Sequence, residues 1–421
     1  MVDARPRDLD PRSGTRGLST GFEQRGFIAA ADLDVDPVPL EPRLRLLELP
    51  HDRLAASPTL APFLKWPGGK SQELSAIAAA APALTGRFID PFVGGGSVLL
   101  AVPDGVEACV NDAAEDLIEL YRAAAAERWT FRDAVSGVAR AWDGFRAFDD
   151  VYRTLADEFL GGSSGLDTVS GVGRSQGFKR VLDQAGPGLD DTFGARLSRD
   201  VPSKFDRMRR IQTALGQRLS DPDLLANVEG AVRAAFYMAI RARYNRARLL
   251  GNRSDLRVAD YFFLREFAYA AMFRFNSRGE FNVPYGGISY NRKSLADKVD
   301  ILFSSAMVRR LQNTTWRCAD FEVFLREATP VRSDFVFVDP PYDSDFSEYD
   351  NLAFGSGDQE RLQRVLEGLS ASVMIVIKDT PMIRRLYRSD RWRVTAADKT
   401  YMWTIKSRND REVTHLTITN Y

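Results

Sequence analysis

A short apolar run, Arg87-Phe88-Ile89-Asp90-Pro91-Phe92, passes almost directly into three consecutive glycines, Gly94 to Gly96, with a second apolar stretch from Val98 to Ala101 behind them. Adjacent glycines let a backbone turn tightly and approach a ligand without interference from Cβ atoms. The pattern predicts a buried strand, a glycine turn and the opening of a helix. A second unit follows. Val106 to Val110 reads as a strand ending at Asn111-Asp112, and Ala113 to Glu127 as a helix with Leu117, Ile118, Leu120 and Tyr121 on its apolar face. Strand and helix in alternation call for a mostly parallel sheet with helices packed against it.

The alternation stops at Trp129 and returns only near Trp316. Glycine-rich stretches at Gly161 to Gly173 and Gly186 to Gly188 mark loops, while Ala231 to Leu250 and Tyr261 to Phe273 read as helices studded with arginine. Trp316 to Ala319, Asp334 to Val338 and Val373 to Lys378 then read as strands, with a helix from Gln359 to Leu369 between the last two. Trp392 to Ala397 and Val413 to Thr419 are expected to close the sheet with an antiparallel edge. The expected organisation is an α/β sheet domain, residues 58–128 and 308–421, split by a mainly helical insertion at 129–307. Residues 1–57 mix Pro, Gly, Arg and Asp without a stable period and are expected to form a disordered extension, with a short helix near Leu44 to Leu49.

The 57 basic and 57 acidic residues cancel over 421 residues, but not locally. Residues 201–300 hold 18 Lys and Arg against 10 Asp and Glu, which suits either a polyanion partner or a solvated helical face. Cys109 and Cys318 cannot build a disulfide framework, and with only His51 and His415 to help, no protein-built metal centre is expected. No apolar run approaches the roughly 18 residues of a membrane span, and Met1 to Asp10 leads into no apolar signal core. An intracellular, cytoplasmic protein is expected.

The sharpest local signal is Asp339-Pro340-Pro341-Tyr342, directly after the apolar strand Phe335 to Val338. Two prolines fix the backbone and remove two N–H donors, leaving carbonyl groups beside one carboxylate and one aromatic ring. An exocyclic amine of an extruded nucleobase needs that combination, acceptors for its hydrogens and a face to stack on. A plain strand-terminating turn is the alternative. Asp112 lies 22 residues beyond Asp90, about the spacing at which doubly wound folds place a ribose-binding carboxylate. It could equally cap the helix that follows, or do both.

Four segments in order, Lys65-Trp66-Pro67-Gly68-Gly69-Lys70, Asp90 to Ser97, Phe281-Asn282-Val283-Pro284-Tyr285-Gly286 and Asp339 to Tyr342, strongly resemble the Dam-type DNA adenine N6-methyltransferases. These are alpha-ordered amino-methyltransferases, with target recognition placed between the cofactor and catalytic motifs. The resemblance spans about residues 62–421, including the closing Thr417-Ile418-Thr419-Asn420-Tyr421. It implies a Rossmann-like methyltransferase sheet with 129–307 as the target-recognition domain, S-adenosylmethionine as cofactor and double-stranded DNA as partner. Trp66 and Lys70 would help hold the cofactor, Asp90 and the Gly94, Gly95 and Gly96 turn would cradle its methionine part, Asp112 would take the ribose, and Phe92 would also line the cofactor site. Asp320 and Phe321 would meet its adenine. Asp339, Pro340, Pro341 and Tyr342 would form the catalytic pocket, and Arg274, Asn276, Arg278, Asn282 and Tyr285 would contact DNA. A companion restriction enzyme and a monomeric state are further expectations.

The N-terminal extension has no counterpart in compact members and the insertion from Trp129 to Phe262 is longer than theirs, so no target sequence is carried over. Where those members carry Tyr-Asn-Gly ahead of the hairpin, this chain has Tyr269-Ala270-Ala271. Cytosine C5 methylation would need a nucleophilic thiolate, commonly after proline, and neither cysteine follows one. Cytosine N4 methylation uses the same pocket chemistry but usually with Ser in place of Asp339. An RNA adenine methyltransferase and a catalytically silent DNA-binding protein complete the alternatives.

Overall fold

The computed structural model describes residues 52–56, 60–341, 354–400 and 412–421. Seven strands form one sheet: β1 (Phe88–Asp90), β2 (Ala108–Asn111), β3 (Thr314–Arg317), β4 (Phe335–Val338), β5 (Ser372–Lys378), β6 (Arg393–Thr400) and β7 (Glu412–Thr419), in the order β3-β2-β1-β4-β5-β7-β6. The first five are mutually parallel, and β7 runs antiparallel to both β5 and β6. The expected Rossmann-like sheet with an antiparallel C-terminal edge is therefore the fold of this chain. Every residue of β1, β2 and β4 is buried, as strands covered on both faces must be.

Alternate residues of those strands feed two cores. Phe88, Val110, Phe335 and Phe337 point into one, Ile89, Val336 and Val338 into the other, where helices Phe321–Ala328 and Ser356–Glu367 pack. The first core continues without a break into the helical stretch between β2 and β3, through Trp142, Phe236, Tyr244 and Phe263. Trp142 lies 4.2 Å from Phe267 between ring centroids. Leu54 belongs to the same core, and the Ala55 N–H donates to the Ala101 carbonyl at 3.0 Å.

The helix Asp255–Phe267 is central to this arrangement, being buried from Arg257 to its end. Ser254 caps it by accepting the Arg257 N–H. A buried helix carrying charges must pair them. Asp260 accepts from Arg243 at 2.9 and 2.6 Å, Arg257 meets Asp116 at 2.7 Å, and the Glu266 carboxylate accepts the Lys65 N–H at 3.1 Å. No helix among the described residues is long and apolar enough to cross a membrane.

Several expected boundaries move. The apolar stretch at Val98 opens a single 3₁₀ turn, Leu99–Ala101, rather than an α-helix, with Pro103 close behind. The helix expected at Tyr261 to Phe273 ends at Phe267. Phe273 instead enters a hairpin, stacked on Phe281 with centroids 4.3 Å apart.

Candidate active site

The strand order reverses between β1 and β4, and their C-terminal ends frame the crevice where doubly wound sheets bind ligands. Asp90 is the last residue of β1, and Asp339 directly follows β4. Asp90 is buried and accepts the Phe92 N–H at 2.9 Å. Asn111, at the end of β2, ties three strand ends together: its amide donates to the Pro91 and Ala319 carbonyls at 3.1 and 3.0 Å and accepts the Ala319 N–H at 2.9 Å. Asp112 accepts N–H groups from Gly94 at 3.0 Å and Ala114 at 2.9 Å. One carboxylate thus holds both the glycine turn and the approach to helix Glu115–Ala125. Gly94 and Gly96 adopt positive φ of 47° and 71°, which residues with a Cβ rarely adopt.

Trp66 lies over this turn. A Cβ at Gly94 would stand 2.7 Å from the indole Nε1, and one at Gly95 would stand 2.6 Å from the Trp66 Cβ. The Arg265 guanidinium stacks 4.2 Å from the Trp66 ring centre and 4.8 Å from that of Phe273, joining the crevice to the hairpin. Lys70 reaches the opposite wall: its buried ammonium donates to both Asp339 oxygens at 2.6 Å and to the Gly68 carbonyl at 3.0 Å. Glu73 closes the 3₁₀ turn Lys70–Gln72, its N–H donating to the Lys70 carbonyl at 2.9 Å, and its carboxylate meets His415 Nδ1 of β7 at 2.6 Å.

Burial pushes Asp90 well above the usual carboxylate range, aided by Asp339 and Asp112 and opposed by the Phe92 N–H and by Lys70. Asp339 is also raised, first by burial and further by Glu73, with Lys70 and His415 acting against the shift. Asp112 is raised by burial despite its N–H donors. Like charges gathered in a low-dielectric crevice oppose one another's ionisation.

On the other side of the turn, Phe92, Phe321 and Phe354 pack with centroids 5.5 to 5.7 Å apart. Asp320 caps helix Phe321–Ala328 through the Glu322 N–H and pairs with Arg361 at 2.8 Å. Arg361 also meets Glu322 and Asp358, and lies 4.8 Å from the Phe321 ring centre. Behind the Asp339-Pro340-Pro341 strand end, the buried Gln359 amide donates to the Pro341 carbonyl at 3.0 Å. Pro340 is buried and Pro341 exposed, while Tyr342 lies outside the described residues.

The hairpin presents Arg274 and Arg278 to solvent. Asn276 is committed to the turn itself: its oxygen accepts N–H groups from Arg278 and Glu280 at 2.9 and 3.0 Å, and its amide donates to the Glu280 carboxylate. Asn282 accepts from Arg274 Nε at 3.3 Å. Tyr285 faces inward, its ring beside Trp142 and Tyr237 and its hydroxyl on Asn291 Oδ1 at 2.9 Å. Ahead of the hairpin, Ala270 and Ala271 both take left-handed backbone angles, φ 52° and 55°, where Asn and Gly would be relaxed.

Sequence reasoning missed the supporting residues Asn111, Glu73, Arg265, Gln359, His415 and Tyr121, whose hydroxyl donates to the Gly94 carbonyl at 2.9 Å. Asn111 carried a signal, since a polar residue ending an apolar strand beside Asp112 needs internal partners. The others act through contacts far apart in sequence.

A Rossmann-like sheet whose crevice joins a glycine turn to an Asp-Pro-Pro strand end defines an amino-methyltransferase architecture. The family profile described as D12 class N6 adenine-specific DNA methyltransferase matches residues 66–158 and 217–402, and the chain belongs to that family. It is an adenine-specific DNA methyltransferase. It is 26% identical over 334 residues to the Type II methyltransferase M.MjaIII of Methanocaldococcus jannaschii, covering 75% of this chain and 83% of that protein. Similarity to the Type II methyltransferase M1.LlaDCHI of Lactococcus lactis is 23% over 370 residues, or 86% and 96% of the two chains. The Retron Ec67 DNA adenine methylase of Escherichia coli is 34% identical over 165 residues, 38% of this chain and 54% of that one.

Proposed function

We infer that the crevice binds S-adenosylmethionine and that Asp339 and Pro340 receive the N6 amine of an adenine turned out of double-stranded DNA. The observation that best supports the cofactor is the charge balance. Asp90, Asp112 and Asp339 are set against the Lys70 ammonium and the Arg265 guanidinium, an excess of negative charge that a ligand whose sulfonium and ammonium outnumber its single carboxylate offsets. When bound, this cofactor supplies a methyl group on positively charged sulfur. Asp90 and the turn Gly94, Gly95, Gly96 under Trp66 hold its methionine part, Asp112 its ribose, and Phe92, Phe321 and Asp320 its adenine.

The adenine amine is a poor nucleophile, because its lone pair is delocalised into the ring. The Asp339 carboxylate and the Pro340 carbonyl accept its two hydrogens and so favour a more tetrahedral nitrogen, an interaction strongest in the transition state. Lys70 opposes the upward shift of Asp339 and so favours its ionised form, Gln359 steadies the Pro341 carbonyl, and Asp339 is the acceptor that takes the proton the amine gives up. Pro341 fixes the turn, and Tyr342 offers a stacking face.

The helical residues 129–307 serve target recognition, with 58–128 and 308–421 as the cofactor and catalytic parts of one sheet domain. Arg274 and Arg278 contact the duplex, while Asn276, Asn282 and Tyr285 shape the surface that carries them. The proposed compartment is the cytoplasm, where a duplex-DNA substrate would be met, and the proposed acting form is a monomer. The Type II names of two relatives support a companion restriction enzyme.

Calorimetry with S-adenosylmethionine and its neutral counterpart S-adenosylhomocysteine tests the charge argument. Asp90→Asn should weaken both ligands, because both carry the ammonium of the methionine part, and the first more than the second, because it alone carries the sulfonium. Unchanged affinity for both ligands would place the positive charge elsewhere.

A further inference from the structure

Beside the crevice lies a cluster that the methyl-transfer chemistry does not use. Lys65 precedes Trp66, and its peptide is fixed on both sides: the N–H donates to Glu266 Oε1 at 3.1 Å and the carbonyl accepts from Arg265 at 3.0 Å. Tyr290 and Lys293 come from the segment after the hairpin. The Tyr290 ring packs against Gly286, where a Cβ would stand only 2.6 Å from the ring, and the Trp142 indole donates to the Lys293 carbonyl at 3.0 Å. Three separate segments thus hold this place rigidly.

The side chains converge on one ring. Lys293 Nζ lies 3.1 Å from the Tyr290 ring centre and Lys65 Nζ lies 5.1 Å from it. The groups facing Lys293 are Lys65, Lys298 and Glu266. Glu266 offers little relief, because Oε1 already accepts the Lys65 N–H and Oε2 is 4.0 Å from Lys65 Nζ. Lys298 is turned to the Pro62 carbonyl at 2.8 Å. Two half-buried ammonium groups over one ring, with one distant carboxylate, cannot both stay charged at low cost. Burial, and then Lys65, push the Lys293 ammonium down to about 7.

We propose that Lys65 and Lys293, over the Tyr290 ring, hold one backbone phosphate of the DNA substrate, and that the pair takes up a proton when the phosphate arrives. A phosphodiester has two free oxygens, one for each ammonium, and its charge offsets the burial and the repulsion that hold the Lys293 ammonium down. The site flanks the crevice that a target base must enter, which places it beside the nucleotide backbone. This inference rests on the DNA-methylating function above.

The sign follows from linkage. Below about pH 7 Lys293 is already charged and affinity is flat; above it, binding must supply a proton, and affinity falls by up to ten-fold per pH unit. Full-length protein is titrated with a mixed-sequence duplex at about pH 6 and about pH 8, the latter in two buffers of different ionisation enthalpy. Wild type should bind about ten-fold more weakly at the higher pH and take up close to one proton. Lys293→Arg, charged at both values, should bind at the higher pH about as tightly as wild type at the lower, without that uptake. Lys65→Met should also abolish the uptake.

A pH-independent wild-type affinity, or a Lys293→Arg variant that keeps the full pH dependence, would overturn the proposal while leaving DNA binding intact. Loss confined to duplexes carrying the mapped methylation sequence would show base reading instead, and overturn the phosphate assignment. Saturable binding of inorganic phosphate without proton-linked DNA binding would make this a free-phosphate site. A wild type that bound no DNA at either pH would overturn the DNA reading itself, a distinct failure.

Discussion

The Lys70 ammonium donates to both carboxylate oxygens of Asp339 at 2.6 Å, across 269 residues of sequence. An adenine amine that hydrogen-bonds Asp339 must share that carboxylate with Lys70. Without the ammonium, a carboxylate already raised by burial would hold its proton still more strongly. Lys70→Met should therefore lower single-turnover methylation by about ten- to a hundred-fold near neutrality, with the acid limb of the pH–rate profile moved to higher pH. Lys70→Arg should restore most of that limb. An unmoved limb in Lys70→Met would mean that the pair is only structural.

Asp90 illustrates a cost of the site to stability. Its folded-state pKa is raised, so the folded protein binds this proton more tightly than the unfolded chain does. The charged group opposes folding above its folded pKa, and the opposition fades as pH falls through that value toward the unfolded one. Without cofactor, Asp90→Asn should melt higher than wild type at neutral pH, with Tm rising roughly 2–4 °C per kcal/mol gained, and the difference should shrink on acidification. A lower Tm at all pH values would show that the Phe92 N–H bond outweighs the burial of charge.

Gly94 and Gly95 are tied to Trp66 by contact. Gly94→Ala adds a Cβ 2.7 Å from the indole at positive φ, and Gly95→Ala adds one 2.6 Å from the Trp66 Cβ. Both should displace Trp66, quench or shift its fluorescence and weaken S-adenosylmethionine by ten-fold or more, on the order of 1.4 kcal/mol. Gly105→Ala, with nothing within 4 Å of the added carbon, should leave the affinity unchanged. Unaltered binding in both crevice variants would remove the turn from the cofactor site.

Much of the crevice was legible in the sequence because β1 and β4 are covered on both faces, so their apolar runs stand out, with Asp90 closing the first and Asp339 directly following the second. Partners were not legible. Nothing periodic joins Lys70 to Asp339 or Glu73 to His415, since each pair is made by the order in which strands enter the sheet. The helix Asp255–Phe267 was placed too late in the chain because its paired charges hide a buried element behind polar residues, and the aromatic run into Phe273 masks the change to a hairpin. Asn276 was expected to contact DNA, and its contacts are to the turn, as the sequence Asn276-Ser277-Arg278-Gly279 could have suggested.

That division of labour in the hairpin is measurable. Replacing Arg274 and Arg278 by Gln should weaken DNA binding and flatten its salt dependence by roughly one unit of slope per lost phosphate contact. Asn276→Ala should instead loosen the turn, raising hydrogen exchange at Arg278 and Glu280, with a smaller change in salt slope. If the arginine double variant kept wild-type affinity and slope, the hairpin would lie outside the interface.

The central claim is that Asp339 activates the N6 amine of adenine. Purified wild type and Asp339→Ala are incubated with duplex DNA and methyl-labelled S-adenosylmethionine, the nucleosides are resolved by mass spectrometry, and cofactor affinity is measured in parallel by calorimetry. N6-methyladenine should be the labelled product of wild type, and Asp339→Ala should form less than about one hundredth as much, a loss of roughly 2.7 kcal/mol or more in transition-state stabilisation, while still binding cofactor. Label in N4-methylcytosine, or an Asp339→Ala variant retaining more than a few per cent of the activity, would contradict it.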